Sequence, residues 1–110
     1  MDIPRLARIA AQHHCVIHRD HAGLTPREWY GLIERGLLVP MHPNVAHLIG
    51  VSPNHRLLIA AALSALGGDA VCSHRSAAYL WGLYDEPLGP VDVILPDRAP
   101  SRRLADVRVH

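Results

Sequence analysis

The sequence predicts an α+β fold, and three observations support this expectation. The chain has 110 residues, which is enough for one compact domain or for two small subdomains with a common core. Apolar residues recur at helical spacing in several segments, and elsewhere they alternate at the spacing of strands. Hydrophobic residues make up 49% of the chain and charged residues 19%, which is typical of a folded globular protein.

The N-terminal segment predicts an amphipathic helix over residues 3–13. Its apolar residues recur every three or four positions, and Pro4 lies in the first turn, where a missing N–H costs no hydrogen bond. Val16 and Ile17 form a short apolar segment after this helix. Residues 19–22 then predict a brief helical turn that ends at a glycine.

The clearest local signal is a helix over residues 26–35. Thr25 is predicted to cap this helix, Pro26 to occupy its first position and Gly36 to end it. A stripe of apolar residues would face the core. The outward face then carries Arg27, Glu28, Tyr30, Gly31, Glu34 and Arg35.

Residues 37–50 predict a β-hairpin whose turn lies at Pro43 and Asn44. Pro40 places the first strand at a sheet edge, because proline donates no hydrogen bond to a neighbouring strand. A short helix, a capped helix and a hairpin, in this order, are typical of a winged helix-turn-helix. We therefore assign residues 1–51 to a domain of this kind.

Residues 52–110 are expected to form a small helix–strand extension packed on that domain. Residues 54–66 predict a helix that is apolar nearly all round, which implies burial on several sides. A second helix is predicted over residues 73–81, and strands over residues 91–95 and 107–109. Because the last strand reaches the end of the sequence, we expect the extension to be truncated at its C-terminus.

The composition excludes several classes of protein. All 11 basic residues are arginine, and the absence of lysine excludes phosphate-loop NTPases, Schiff-base enzymes and nucleases with a Glu-x-Lys signature. A net charge of +1 argues against strong nonspecific binding of polyanions, so a nucleic acid would have to bind a local patch. The chain has no membrane-spanning apolar stretch and no signal peptide after Met1, so we expect a cytoplasmic protein with free thiols at Cys15 and Cys72.

The run Ser73-His74-Arg75 raises the question of a catalytic serine. Neighbouring side chains of a helix point about 100° apart, so we predict that Ser73 and His74 do not form the hydrogen bond that activates a serine. Ser73 is instead predicted to cap the helix by accepting from the N–H of Arg75 or Ser76. A partner-binding surface formed by His74 and Arg75 is the open alternative.

Two further clusters are interpreted as structural. His14, His18 and His21 would share one face with each other only if a helix ran through them, and no metal-binding motif accompanies them or Cys15. We therefore expect no metal, no cofactor and no catalytic residue. Turn and surface roles are predicted for the carboxylates of the second half, which are Asp85, Glu86, Asp92 and Asp97.

Several segments resemble, in the same order, the N-terminal region of AbiEi-family antitoxin proteins of actinobacteria. These segments are LARIAAQHH, VIHRD, LTPREWYGLIERGLL, HLIG, SHRSAAYLWGL, VDVILP and VRVH, and together they span almost the whole chain. The run at residues 73–83 is the most specific of them. The resemblance implies a winged helix-turn-helix that binds operator DNA and represses its own operon. Longer members of the family oppose a nucleotidyltransferase-like toxin in type IV toxin–antitoxin or abortive-infection systems.

Two features depart from the family pattern. The recognition helix of the family is usually crowded with arginines, whereas Glu28 and Glu34 dilute the positive charge of this one. The tip of the wing often reads Arg-Gly in the family, and here it is Pro43-Asn44. Because each lost cation removes part of the salt-dependent binding free energy, we expect weaker DNA binding than is usual for the family.

The sequence thus predicts a non-enzymatic DNA-binding regulator of antitoxin type that represses its own operon. Its expected partners are double-stranded operator DNA, a cognate toxin and a second copy in a homodimer. The predicted DNA contacts lie on the first helix, the recognition helix and the wing, at Arg5, Arg8, Arg27, Tyr30, Arg35, His42 and Asn44.

Two other functions are compatible with parts of the sequence. The first is a winged-helix module for protein interaction, such as a phage or prophage protein that binds a host factor or a toxin without binding DNA. Ion pairing between the arginines and glutamates of helix 26–35 would favour this module. The second is a fragment of a nuclease-like protein, which would need an acid and a base converging in a cleft.

Overall fold

The computed structural model describes residues 3–67, 69–96 and 104–110. These residues form four helices and two small sheets, so the predicted α+β class is confirmed. The elements are α1 Ile3–Gln12, β1 Val16–His18, α2 Pro26–Glu34, β2 Leu38–His42, β3 Val45–Leu48, α3 His55–Leu66, β4 Val71–Cys72, α4 His74–Leu80, β5 Val91–Ile94 and β6 Val107–Val109. The bounds of all four helices agree with the sequence prediction to within one residue.

The first sheet is antiparallel throughout, and its strands lie in the order β1, β3, β2. β2 and β3 form the predicted hairpin, and Asn44 in its turn has a φ of 65°, which asparagine tolerates better than most residues. β2 is an edge strand, as predicted from Pro40. The pairing shifts between Pro40 and His42, which marks a local bulge in this strand.

Helices cover both faces of the first sheet. Successive strand residues point to opposite faces, so Ile17 and Ala46 contact the core under α1 and α2, whereas Val16 and Val45 contact α3. The helical turn predicted at residues 19–22 is present as a hydrogen-bonded turn, in which the N–H of Ala22 donates to the carbonyl of His18. This turn leads the chain from β1 to the start of α2.

The start of α2 is fixed by two reciprocal hydrogen bonds. The hydroxyl of Thr25 accepts from the backbone N–H of Glu28 at 3.1 Å, and the carboxylate of Glu28 accepts from the backbone N–H of Thr25 at 3.1 Å. This arrangement is a capping box, with Pro26 at the first helical position. The predicted cap is confirmed, and the helix ends before Gly36, whose φ is 74°.

The second sheet has β5 at its centre, with β4 antiparallel and β6 parallel to it. α3 lies between the two sheets: Leu57 and Ala61 contact the core of the first, and Ile59 and Ala62 that of the second. These contacts on opposite sides explain why α3 is apolar nearly all round. No helix within the described ranges is long and apolar enough to cross a lipid bilayer.

The capping box predicts a measurable stability change. Thr25→Ala is expected to lower the free energy of unfolding by about 1 kcal/mol, because an N-cap hydroxyl contributes on this scale. Urea denaturation followed by circular dichroism measures the change. Thr25→Ser is the matched control, because serine keeps the hydroxyl and should unfold near the wild-type midpoint; equal losses in both variants would argue against the cap.

Candidate nucleic-acid interface

The outward face of α2 is exposed to solvent. Trp29 and Leu32 are buried in the core, whereas Arg27 and Arg35 are exposed and Tyr30 is 61% exposed. Arg27 and Tyr30 are three residues apart on one side of the helix, and Arg35 is the C-cap residue that follows it. The predicted orientation of α2, with its tryptophan inward and its arginines outward, is confirmed.

The two arginines of this face are not neutralised by the glutamates of α2. Neither Arg27 nor Arg35 has an ion-pair partner within residues 3–67, 69–96 and 104–110. Glu28 is turned back into the capping box, where hydrogen bonds from the backbone and hydroxyl of Thr25 lower its pKa. Of the two glutamates of α2, Glu34 is therefore the one whose carboxylate is exposed on this face and takes no part in the cap.

A cleft of about 430 Å³ separates α2 from the hairpin. Tyr30 lines one side of the cleft, His42 and Asn44 line the other, and Trp29 contributes to its lining. The structure thus brings together one predicted residue of the helix and both predicted residues of the wing. Tyr30 is mostly exposed, whereas the two wing residues are half-buried.

His42 differs from the other predicted contact residues in its environment. Burial lowers its pKa, and the carboxylate of Asp106 only partly offsets this effect. Its lowered pKa favours the neutral imidazole, so at neutral pH His42 adds little positive charge to the hairpin. Asp106 belongs to the turn before β6, so residues of the C-terminal half reach the hairpin near its turn, next to this histidine.

The two predicted residues of α1 are both exposed, and one of them lies beside α2. The guanidinium of Arg5 lies close to Gly23, and it is near enough to Glu28 to lower the pKa of that carboxyl further. Arg8 is exposed on the same helix, about one turn further along. Arg5 therefore adds positive charge next to the N-terminal end of α2.

A second polar cluster surrounds Asp92, which the sequence analysis expected at the surface. That expectation is wrong, because the side chain of Asp92 is only 2% exposed. Its carboxylate accepts from Nε of Arg108 at 2.9 Å and from Nε2 of His110 at 3.0 Å, and Nε of Arg75 lies 3.8 Å away. Burial raises the pKa of Asp92, but the hydrogen bonds from His110 and Arg108 outweigh burial, and the net pKa is lowered.

The sequence pattern was right about the side of β5 on which Asp92 lies. Val91 and Val93 point to the core that contains α3, and Asp92 points the opposite way. What the pattern missed is that Arg75 of α4 and Arg108 of β6 reach the carboxylate on this side of the strand. The register of the parallel pair places Arg108 directly beside Asp92.

Ser73 and His74 also depart from the prediction. The hydroxyl of Ser73 lies 2.9 Å from Nδ1 of His74, a hydrogen bond that we predicted would not form. The prediction assumed helical geometry for both residues, whereas Ser73 is extended with φ −143° and His74 has a left-handed φ of 49°. Ser73 occupies the predicted N-cap position, but its side chain makes no capping hydrogen bond.

This contact does not assemble a catalytic triad in the described part of the chain. Ser73 is buried, and no described carboxylate accepts a hydrogen bond from His74. The ring of His74 instead stacks on the ring of His110, with centroids 3.7 Å apart. A base that is not oriented by a third polar group lacks one part of the usual nucleophile arrangement.

Ser76 and His55, neither of which was predicted to take part in a polar site, connect the Asp92 cluster to α3. The hydroxyl of Ser76 accepts from the backbone N–H of Asp92 at 2.9 Å and lies 2.8 Å from Nε2 of His55. The backbone N–H of His55 donates to the carboxylate of Glu86 at 2.7 Å. The signal in the sequence was a histidine at the start of an otherwise apolar helix.

His55 is held neutral inside the protein. Burial lowers its pKa, and the nearby carboxylates of Glu86 and Asp92 only partly oppose this. Its Nδ1 is buried and has no hydrogen-bond partner among the described residues. Since the other ring nitrogen bonds Ser76, this histidine acts as a structural link between α3 and α4.

The remaining histidines do not form a metal site where the structure describes them. β1 runs through residues 16–18, so His14, His18 and His21 do not share a helical face, although the rings of His18 and His21 stack at 4.6 Å. The described residues contain no group of three or more side chains placed to hold a metal ion. Cys15 and Cys72 are free thiols, as predicted, and burial raises the pKa of Cys72. Asp97 lies outside the described residues.

No model of a known protein family matches the chain, and no curated protein is significantly similar to it. The resemblance to AbiEi-family antitoxins therefore stays a prediction.

The lowered pKa of Asp92 predicts a pH-dependent contribution to stability. A carboxyl with a lowered pKa in the folded state stabilises the fold above its ordinary value of 3.8, and this contribution is lost as the pH falls below that value. Asp92→Asn is expected to reduce the free energy of unfolding at pH 7 by about 1 to 3 kcal/mol, because hydrogen bonds to a charged group are lost.

Urea denaturation of both proteins between pH 7 and pH 3 measures this effect. The difference between wild type and Asp92→Asn should shrink as the pH falls toward 3. Asp85→Asn is the matched control, because Asp85 is exposed and should leave the stability almost unchanged. A difference between wild type and Asp92→Asn that is constant over this range would contradict the assignment of the charged pairs.

Proposed function

We propose that the chain is a DNA-binding regulator of antitoxin type, in which residues 1–51 act as a winged helix-turn-helix. The observation that carries this proposal is the exposed face of α2, where two arginines that form no ion pair with any described residue lie beside an open hairpin. The order of the elements and the strand order β1, β3, β2 support the same arrangement. The proposed function is non-enzymatic.

In this proposal α2 is the recognition helix. The major groove is about 12 Å wide and admits one α-helix, so the exposed side of α2 would face the base edges. Arg27 and Arg35 would donate to phosphates or to guanine, and Tyr30 would contact the backbone. Gly31 lies on the same side and has no side chain, which allows the helix backbone to approach the DNA closely.

The hairpin and α1 would add contacts on either side of α2. Asn44 at the turn of the hairpin would contact the neighbouring backbone, and His42 would contribute hydrogen bonding without positive charge. Arg5 and Arg8 would contact phosphates next to the start of α2. Since few cations take part, we expect modest affinity and a shallow dependence on salt concentration.

The biological setting follows from the same proposal. A homodimer would bind two half-sites about one helical turn apart, and binding near the promoter would repress the chain's own operon. A cognate toxin would be the protein partner of this regulator. This function would place the protein in the cytoplasm, where operator DNA is accessible in bacteria.

The alternative of a protein-interaction module is favoured by a different observation. The segment after α4 exposes large apolar side chains, with Trp81 81% exposed and Leu88 90% exposed. Leu83 and Tyr84 between them are also exposed. Exposed apolar groups that lie close together often mark a protein contact. The charge arrangement on α2 does not favour this alternative, because its arginines do not pair with its glutamates.

A mobility-shift titration tests the proposed function. The probe is a duplex of the DNA directly upstream of the gene, and binding is measured at two salt concentrations. Arg27→Ala and Arg35→Ala are each expected to weaken binding and to reduce the salt slope by about one unit per lost phosphate contact. Arg56→Ala is the matched control, because Arg56 is an exposed arginine on α3, away from the face of α2.

The outcomes of this titration test separately whether the chain binds DNA and whether the interface lies on α2. Absence of binding at low salt would overturn the DNA-binding function and leave the interaction module as the better interpretation. Binding that is unchanged in both α2 variants but weakened in Arg56→Ala would move the interface elsewhere on the molecule.

The two glutamates of α2 are expected to affect DNA affinity to different extents. Glu34→Gln is expected to strengthen DNA binding severalfold, because it removes a carboxylate that repels phosphate from the exposed face. Glu28→Gln should have a much smaller effect on affinity, since that side chain is engaged in the capping box and glutamine serves there also. The same mobility-shift assay measures both variants, and equal effects would show that the capping box does not distinguish the two glutamates.

A further inference from the structure

Two arginines from different elements meet at a single buried carboxylate. Arg75 lies on α4 and Arg108 on β6, and both direct Nε toward Asp92, at 3.8 Å and 2.9 Å. Their side chains remain 41% and 48% exposed, whereas that of Asp92 is 2% exposed. A carboxylate that contacts an arginine through Nε fixes the direction of the guanidinium and leaves terminal N–H groups available.

The cluster holds more positive charge than the buried carboxylate requires. One aspartate faces two guanidiniums and the imidazole of His110. Neither Arg75 nor Arg108 donates a hydrogen bond to any other described residue, and Arg75 is too far from Asp92 for a true hydrogen bond. The surplus positive charge is therefore presented to solvent, and the hydrogen bond to Asp92 sets the direction of the Arg108 guanidinium.

His74 adds a strained residue to the edge of this cluster. Its φ of 49° lies in the left-handed region, which costs free energy for a residue with a Cβ atom. The ring is held in place by the stack on His110 and by the hydroxyl of Ser73. These two contacts place the imidazole at the edge of the Asp92 cluster.

We propose that Arg75 and Arg108, which meet at Asp92 and are flanked by His74 and His110, bind a phosphate group. This site goes beyond the proposed function, because its residues lie on α4 and β6 and in the adjoining segments rather than on α2. Phosphate fits the cluster better than a carboxylate does, because its additional oxygens accept from two separate guanidiniums and an imidazole together.

The surroundings of Arg75 limit the size of the ligand. A pocket of about 630 Å³ next to this arginine is also lined by Asp85 and Glu86. Both carboxylates would repel additional phosphate groups, so the site favours one phosphate over a polyphosphate chain. A single phosphate has two sources, which are free phosphate and one phosphodiester of a nucleic-acid backbone.

The test uses the full chain labelled with ¹⁵N and follows the Nε–Hε resonances of its arginines during two titrations. One titration uses inorganic phosphate, and the other uses the thymidine dinucleotide TpT, which has a single phosphodiester; sodium chloride keeps the ionic strength constant. We expect saturable shifts of the Arg75 and Arg108 resonances and none of the Arg56 resonance. Saturation by only one of the two ligands would identify the source, and either result supports the site.

Arg75→Gln is the decisive variant, because Asp92 keeps its hydrogen bonds from Arg108 and His110 and the fold should persist. It is expected to weaken phosphate binding about tenfold or more, since a charge-assisted contact is lost. Arg75→Lys keeps the positive charge but lacks the forked N–H donors of a guanidinium. Its affinity for phosphate should therefore lie between those of Arg75→Gln and the wild type. Arg56→Gln is the control and should titrate like the wild type.

Two results would overturn the phosphate site. The first is the absence of saturable shifts at Arg75 and Arg108 with both ligands in the wild-type chain. The second is unchanged affinity in a folded Arg75→Gln variant. Neither result depends on duplex binding by α2, which Arg27→Ala and Arg35→Ala test separately.

Discussion

The rest of the structure depends on the burial of α3 between two sheets. An amphipathic helix with one apolar stripe would cover a single sheet, but α3 presents apolar side chains in both directions. It closes the first sheet on the side opposite α1 and α2, which leaves the outer face of α2 open to solvent. It also supports β5, the central strand of the second sheet. The two clusters of polar residues therefore have a common structural support.

The parts of the fold that could be predicted from the sequence are those with local causes. Thr25, Pro26 and Gly36 lie within a few residues of the helix ends that they determine, and the turn at Asn44 joins two adjacent strands. The outward face of α2 followed from helical spacing alone. The surroundings of Asp92 could not be predicted in this way, because its partners lie 16 and 18 residues further along the chain. Alternation gives the face of a strand, but it does not reveal which later element covers that face.

The error at Ser73 and His74 has a different physical origin. A glycine in a sequence often indicates a left-handed backbone conformation, whereas a histidine does not. His74 adopts a left-handed φ in the folded chain, where its ring stacks on that of the distant residue His110. Contacts with residues distant in sequence also determine the pKa of His42. Its place in the hairpin was predictable, but burial and the approach of Asp106 were not. In both cases tertiary packing overrides what neighbouring residues suggest.

The contact between Asp92 and Arg108 also has a consequence for β6. This strand has three residues and pairs with β5 along one edge only, so few hydrogen bonds determine how the two strands are aligned. A slip by one position would put Val107 or Val109 beside the buried aspartate and turn Arg108 away from it. Such a slip would remove the hydrogen bond from Arg108 to the buried carboxylate and leave the more distant Arg75 as the nearest guanidinium. The ion pair thus fixes the register of β6 against β5, which the few backbone hydrogen bonds of so short a strand would leave weakly determined.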